Sequence, residues 1–226
     1  MDETCSHVAS RERNPPQATR RARPCHAPHP THAPERNQRM KNVMTVLTLL
    51  ALASLAWAQP TVDGTIGADE YANSAAHEDS GTTMAWTIDG DTLYFAMTMP
   101  SRGWAGVGFG SEITDRKQGF DMYIVTIQDD APVVLDMYQA ATRNAPELDE
   151  DEGGSNSILA SAAVHADDVW TVEFSRPLDT GEATDVAIVP GNAMIVTGAS
   201  AVSMDLGRRH ERSNRGGAFV IEGFVF

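Results

Sequence analysis

Between residues 59 and 226 the chain has no cysteine; both of its cysteines, Cys5 and Cys25, stand near the amino terminus. A mature protein that began at Gln59 would therefore carry no thiol. That excludes disulfides, zinc-thiolate sites, cysteine nucleophiles, thiolate-ligated haem and haem attached through cysteine. Positive charge is scarce as well. Residues 59–226 hold one lysine, Lys117, and eight arginines against 27 Asp and Glu, a balance of −18. Contact with phosphates needs a basic stripe, and an anionic membrane surface would repel such a chain, so nucleic acid and membrane surfaces are excluded as partners. No helical period lasts for three turns after Ala58, which argues against a helical fold.

The first 58 residues are of another kind, with a local balance of +4. Residues 40–58 read Met-Lys41, an apolar run from Val43 to Leu55, then Ala56-Trp57-Ala58. This is the pattern of a secretory signal peptide, with cleavage after Ala58 and Gln59 as the new start. The run has about 13 residues against the roughly 20 that cross a bilayer, so a permanent anchor is the weaker reading. Residues 1–39, rich in Arg, Pro and His, read as a mis-assigned and disordered extension ahead of a true start at Met40. A metal-binding tract around Cys25, His26, His29 and His32 is the alternative. The exported part, 59–226, is long enough for one domain that relies on its apolar core, secreted or periplasmic.

From residue 82 onward the signals are those of strands. Thr83–Ile88 alternates, meets Asp89-Gly90 as a hairpin signal, and is answered by Leu93, Phe95, Met97 and Met99 at period two. Further strands are predicted over 105–110, 120–127, 133–138, 158–164, 169–174, 185–189, 193–198 and 218–226. Short strands with turn signals at roughly 8–12-residue spacing predict an all-β fold, an antiparallel β-sandwich or barrel. The acidic stretch Glu147–Glu152 is expected to be a solvated loop, with a cation site or docking patch as the minority reading. Trp86, Trp104 and Trp170 are expected as core anchors, and Met97, Met99 and Met122 as core filler.

Six phrases, in order, carry a family resemblance: Met84-Ala-Trp86 through Phe95; Gly103-Trp104-Ala-Gly-Val-Gly108-Phe-Gly110; Gly119-Phe-Asp121-Met-Tyr; Pro146-Glu-Leu-Asp149 with Gly153-Gly154; Glu173-Phe-Ser-Arg176-Pro-Leu-Asp179; and His210-Glu-Arg-Ser-Asn-Arg215-Gly216. Together the chain resembles the DOMON domain family, immunoglobulin-like β-sandwich modules that include the b-type cytochrome domain of cellobiose dehydrogenase and bind haem or sugars. The residues themselves say something beside the resemblance. Glycines at 103, 106, 108 and 110 leave a strand that can offer no bulky wall, which marks either tight sheet packing or close approach of a flat ligand. The Arg176-Pro177 phrase reads as a strand exit and is given no chemistry.

Three histidines follow Ala58. His77, in a polar segment, and His165, in an expected turn, read as solvated. His210 stands among Arg208, Arg209, Arg212 and Arg215, a cluster that could neutralise carboxylates on a bound molecule or bridge to the acidic surface. In haem-binding members of the family the histidine at this point is an axial ligand, and the resemblance implies that role for His210. The family's methionine ligand would fall at Lys117, so the expected Met–His pair is absent. Three accounts follow: Lys117 ligates iron as a neutral amine, Met122 or another methionine takes over, or haem is not bound. Keeping the amine neutral at pH 7 would cost roughly 4.6 kcal/mol from its ordinary pKa, which a metal bond can supply.

The leading expectation is thus an exported b-type haem module for one-electron transfer. His210 and Lys117 are its metal ligands, and Met122, Trp104 and Arg215 complete the cofactor-binding set in a flat slot between the sheets. Its acidity would steer it to a basic redox partner. The alternative is a non-haem module that binds a sugar or another small ligand. An enzyme in its own right has least support. No nucleophile elbow, phosphate-cradling loop or His-Glu-x-x-His occurs, and Asp129-Asp130 and Asp167-Asp168 read as turns.

Overall fold

The computed structural model describes residues 59–112, 117–141, 144–211 and 218–226. The expected extension and signal peptide, and Arg116, Arg212 and Arg215, lie outside the described residues. The strands are β1 Asn73–His77, β2 Thr82–Asp89, β3 Thr92–Pro100, β4 Ala105–Gly110, β5 Asp121–Gln128, β6 Ala131–Tyr138, β7 Glu147–Leu148, β8 Ala160–Ala166, β9 Val169–Pro177, β10 Ala193–Ser200 and β11 Ala218–Val225. They form two antiparallel sheets, one in the order β1-β2-β3-β9-β8 and the other β11-β10-β4-β5-β6-β7. The all-β sandwich expected from the sequence is the fold observed.

Period two decides which side chains meet between the sheets. Leu93, Phe95, Met97 and Met99 of β3, with Trp170, Val172 and Phe174 of β9, pack on Val107 and Phe109 of β4, Tyr123 and Val125 of β5 and Val196 of β10. Phe95 and Phe109 meet edge to face at 5.5 Å, and Tyr123 stacks on Phe174 at 4.3 Å. Each such fully buried side chain stabilises the fold by about 1.5–3 kcal/mol relative to exposure, which explains how a domain without disulfides holds together. Trp86 and Trp170 are core anchors as expected, and so are Met97 and Met99.

The outer face of the five-stranded sheet is covered by the segment ahead of β1, whose Val62, Ile66 and Tyr71 pack on Tyr94 and Ala96. One buried carboxylate ties this strap down. Glu173 Oε2 accepts the N–H groups of Asp63 (3.1 Å), Gly64 (2.7 Å) and Thr65 (3.1 Å), and Oε1 accepts the Tyr71 hydroxyl at 2.7 Å. Burial and this carboxylate raise the Tyr71 phenol far above its ordinary pKa.

Several expectations are corrected. Residues 185–189 form no strand: the Ile188 N–H donates to Leu178 O at 2.7 Å, and the side chain is buried without joining a ladder. The first hairpin turns on Gly90-Asp91 instead of Asp89-Gly90, because Asp89 pairs with Thr92 and Gly90 takes the left-handed φ of 57°. Glu147–Glu152 is solvated at Glu147, Glu150, Asp151 and Glu152, as expected, but it also supplies β7 and a 3-10 turn, Asp149–Asp151, whose Asp149 is wholly buried. His77 is half-buried and stacks on Phe219 at 4.5 Å; His165 lies on β8, stacks on Trp170 and reaches Ser101 O at 2.8 Å. Arg176, given no chemistry from the sequence, is fully buried and donates to Asp121 Oδ2.

Candidate functional site

The glycines of β4 all face one way. Val107 and Phe109 point into the sandwich, so Gly106 and Gly108 lie on the outer face of the six-stranded sheet, beside Met122 and Ile124 of β5, Met137 of β6 and Thr197 and Ala199 of β10. Here a cavity of about 800 Å³ opens. The slot expected between the sheets is therefore on the outside of one of them, because the interior is already filled by aromatic rings. Added Cβ atoms would press on the neighbours, at 3.0 Å from Ile124 Cγ1 at Gly106 and 3.0 Å from Thr197 Cγ2 at Gly108. The glycines let the strands lie flat as a floor. Gly110 differs: it makes room for the Phe120 ring.

Three chain segments wall the floor. The first is the turn Lys117–Phe120, closed by Phe120 N–H to Lys117 O at 3.1 Å, with Lys117 at a left-handed φ of 65°. The second is made by Gln139 together with Asn144, Ala145 and Pro146. Gln139 joins the two, accepting the Gly119 N–H at 2.9 Å, donating its own N–H to Phe120 O at 3.0 Å, and reaching Asn144 O at 3.2 Å through its side chain.

The third wall is a loop that leaves β10 at Ser200 and returns to it, the Glu211 N–H donating to Ser200 O at 2.8 Å. His210 sits at this closure. Trp104 fastens the loop, its indole N–H donating to Arg208 O at 3.0 Å and its backbone N–H to Ser203 O at 3.0 Å. Thr126 Oγ1 adds a bond to Met204 O at 2.6 Å. Gly103 is required here, since a Cβ would stand 2.2 Å from the Ser203 backbone.

Of the residues singled out from the sequence, His210, Lys117, Met122 and Trp104 all line this one cavity; Arg215 lies outside the described residues. Trp104 is less than a tenth exposed but belongs to the cluster under the slot and not to the main core. Met122, expected as core filler, is half-buried on the floor. His210 is exposed, and its Nδ1 lies 2.6 Å from Glu211 O. A carbonyl only accepts, so this contact places the proton on Nδ1 and leaves the lone pair on Nε2. Lys117 Nζ donates to Thr197 Oγ1, whose own proton goes to Phe219 O at 2.7 Å. Burial lowers the Lys117 pKa to about 8.

The slot also has a charge of its own. Lys117, Arg208 and Arg209 line it with His210, and among the described residues no carboxylate does, in a stretch of chain with three times as many acidic as basic groups. An apolar floor with a cationic rim suits a flat molecule that carries anionic groups. Gln139 and Asn144 are lining residues that the sequence did not single out; neither stands in a motif, and each reaches the slot through loop geometry.

Two antiparallel sheets packed as a β-sandwich, with a glycine-floored slot on one outer face, define the class of fold. The sequence model of the DOMON domain matches residues 78–200, and the chain belongs to that family. No curated protein matches it. Among solved structures it is similar to the cytochrome b domain of pyranose dehydrogenase from Coprinopsis cinerea, at 10% identity over 66% of this chain and 80% of that one, with a TM-score of 0.43. It is also similar to the cytochrome domain of Myriococcum thermophilum cellobiose dehydrogenase, at 11% identity over 68% and 88% with a TM-score of 0.45.

Proposed function

We propose that the slot binds haem b and that the domain serves as an exported one-electron carrier with no bond-making chemistry of its own. The observation that carries this reading is the meeting of an imidazole and a desolvated amine, His210 and Lys117, on the walls of one flat, glycine-floored cavity. Histidine ligands ordinarily donate their second ring N–H to a carbonyl or carboxylate, and the Nδ1 contact with Glu211 O has that form. Desolvation has already carried Lys117 part of the way to the neutral amine that a metal requires. Met122, on the floor, is the alternative second ligand. Arg208 and Arg209 stand where they can meet carboxylates at the slot's mouth.

When bound, the iron would supply reversible one-electron exchange, and two protein ligands would leave it no open position for a substrate. The chain's residues then orient the ring, exclude water from its floor and hold its charges. Among the described residues no helix is long and apolar enough to cross a membrane; export by the expected signal peptide is part of this proposal, as is a basic redox partner.

The test is the visible spectrum of the purified protein with added haem. A sharp Soret band that shifts on reduction is expected, and His210→Ala should abolish it. Lys117→Met should keep haem bound and raise the reduction potential, because a thioether favours ferrous iron. An unchanged spectrum and potential would remove Lys117 as the ligand. A colourless protein that takes up no haem would overturn the proposal and leave the slot to a sugar or another small ligand.

A further inference from the structure

On the opposite side of β5 and β6 from the slot, buried carboxylates crowd together at the edge of the sandwich. Asp121, Asp136 and Asp185 each bring an oxygen within 4.8 Å of the others. Asp121 is wholly buried, Asp136 is 1% exposed and the Asp185 side chain is 1% exposed. Each has one oxygen well provided for. Asp121 Oδ2 accepts from Arg176 and from the Val186 N–H at 3.3 Å; Asp136 Oδ2 accepts the Ser157 N–H and hydroxyl, both at 2.6 Å; Asp185 Oδ2 accepts the Thr180 hydroxyl at 2.6 Å. Asp121 Oδ1 and Asp136 Oδ1 have no hydrogen-bond partner.

A fourth carboxylate lies alongside. Asp149 is wholly buried, with the Thr184 hydroxyl as its side-chain hydrogen-bond partner. The β6–β7 ladder pairs Met137 with Leu148, so the next step sets Asp149 opposite Asp136 on the inner face.

Three carboxylates face one guanidinium, that of Arg176, whose Nη2 stays 3.6 Å from Asp185 Oδ1. Uncompensated charge in such a place costs several kcal/mol per ion. One shared proton could join Asp121 to Asp136, but the group would keep a net negative charge, whereas a divalent cation balances it and takes lone pairs from several oxygens at once. The donors are all oxygens, which selects a hard cation over zinc or copper. Side chains so deeply buried leave little access for the several waters that magnesium retains, which favours calcium.

We propose that Asp121, Asp136 and Asp185 hold a divalent cation of the calcium class beneath the slot's floor. This site stands whatever the slot binds. It would fix the start of β5, where the Lys117–Phe120 turn joins the sheet.

The experiment is a thermal melt of the EDTA-treated protein in 0.15 M NaCl, titrated with CaCl2 or MgCl2, with Tb3+ emission sensitised through neighbouring Tyr123 as a second readout. Calcium at about a hundredfold excess over its dissociation constant should raise the midpoint by about 5–10 °C. One equivalent of Tb3+ should bind and be displaced by calcium. Asp136→Asn and Asp185→Asn should each lose both responses. A midpoint indifferent to EDTA and calcium would overturn the proposal in favour of shared protons. So would a response that survives in both variants, which would place the ion elsewhere on the acidic surface; if either variant fails to fold, the one-equivalent Tb3+ titration of the unaltered protein decides.

Discussion

At Gly108 a notional Cβ already meets Thr197 Cγ2 at 3.0 Å and Met122 Cγ at 3.1 Å, so side-chain bulk there would intrude on the floor itself. Gly108→Val should weaken uptake of a flat ligand at least tenfold and cost about 1–3 kcal/mol of stability from overpacking; haem titration and urea unfolding of the same sample separate the two. Trp104 acts through the loop that carries His210. Trp104→Phe keeps the ring but removes the N–H held by Arg208 O, which should cost about 1 kcal/mol and loosen His210, so haem affinity should fall while the fold persists. His210, Lys117, Met122 and Trp104 could be singled out because the family resemblance pointed to their phrases, and Lys117 is also the one lysine after Ala58. The group of Asp121, Asp136 and Asp185 could not. Its members are dispersed along the chain, and only the fold shows that a Gly-Phe-Asp phrase and an Arg-Pro phrase meet as a buried ion pair.

Period two and turn residues located most strands, because an inward row of Leu93, Phe95, Met97 and Met99 has no other stable arrangement. The same signal misled at 185–189, where Val186 and Ile188 alternate but cap the sandwich without a ladder, and it missed β1 and β7, which are short and hold few apolar residues. Alternation also told which side of β4 lacks side chains without telling what fills the opposite side, so the slot was expected on the wrong face of the sheet. Two junctions between elements can be probed directly. Arg176→Met at the end of β9 leaves Asp121 at the start of β5 without its partner and should cost about 3–5 kcal/mol in urea unfolding. Adding Asp121→Leu should recover part of that loss. The strap gives a pH dependence. Because the folded state holds the Tyr71 phenol protonated while the unfolded chain releases it near pH 10, its contribution is complete below that pH and is lost as pH rises above it. Tyr71→Phe should therefore flatten part of the decline in unfolding midpoint between pH 9 and about 11.5, and an identical slope in both proteins would sever this link.

Across the whole molecule the charges are segregated: 27 acidic groups follow Ala58, yet among the described residues the slot's lining has none, and its mouth carries exposed Arg208 and Arg209. Like charges repel across the acidic body, and salt shortens their reach from about 30 Å at 0.01 M to about 3 Å at 1 M. In EDTA, where no divalent cation contributes, the melting midpoint should thus rise by a few degrees as NaCl or KCl is raised over that range, equally for the two salts. The same field acts on an approaching protein. Electrostatic steering speeds the encounter of opposite charges and fades with ionic strength, so electron transfer from the reduced, haem-loaded protein to a basic acceptor should slow at least tenfold between 10 mM and 0.5 M NaCl. Transfer to a neutral acceptor of similar potential should hardly change, which separates steering from any effect of salt on the haem. Equal salt dependence with both acceptors would mean that the acidity serves solubility and not the choice of partner.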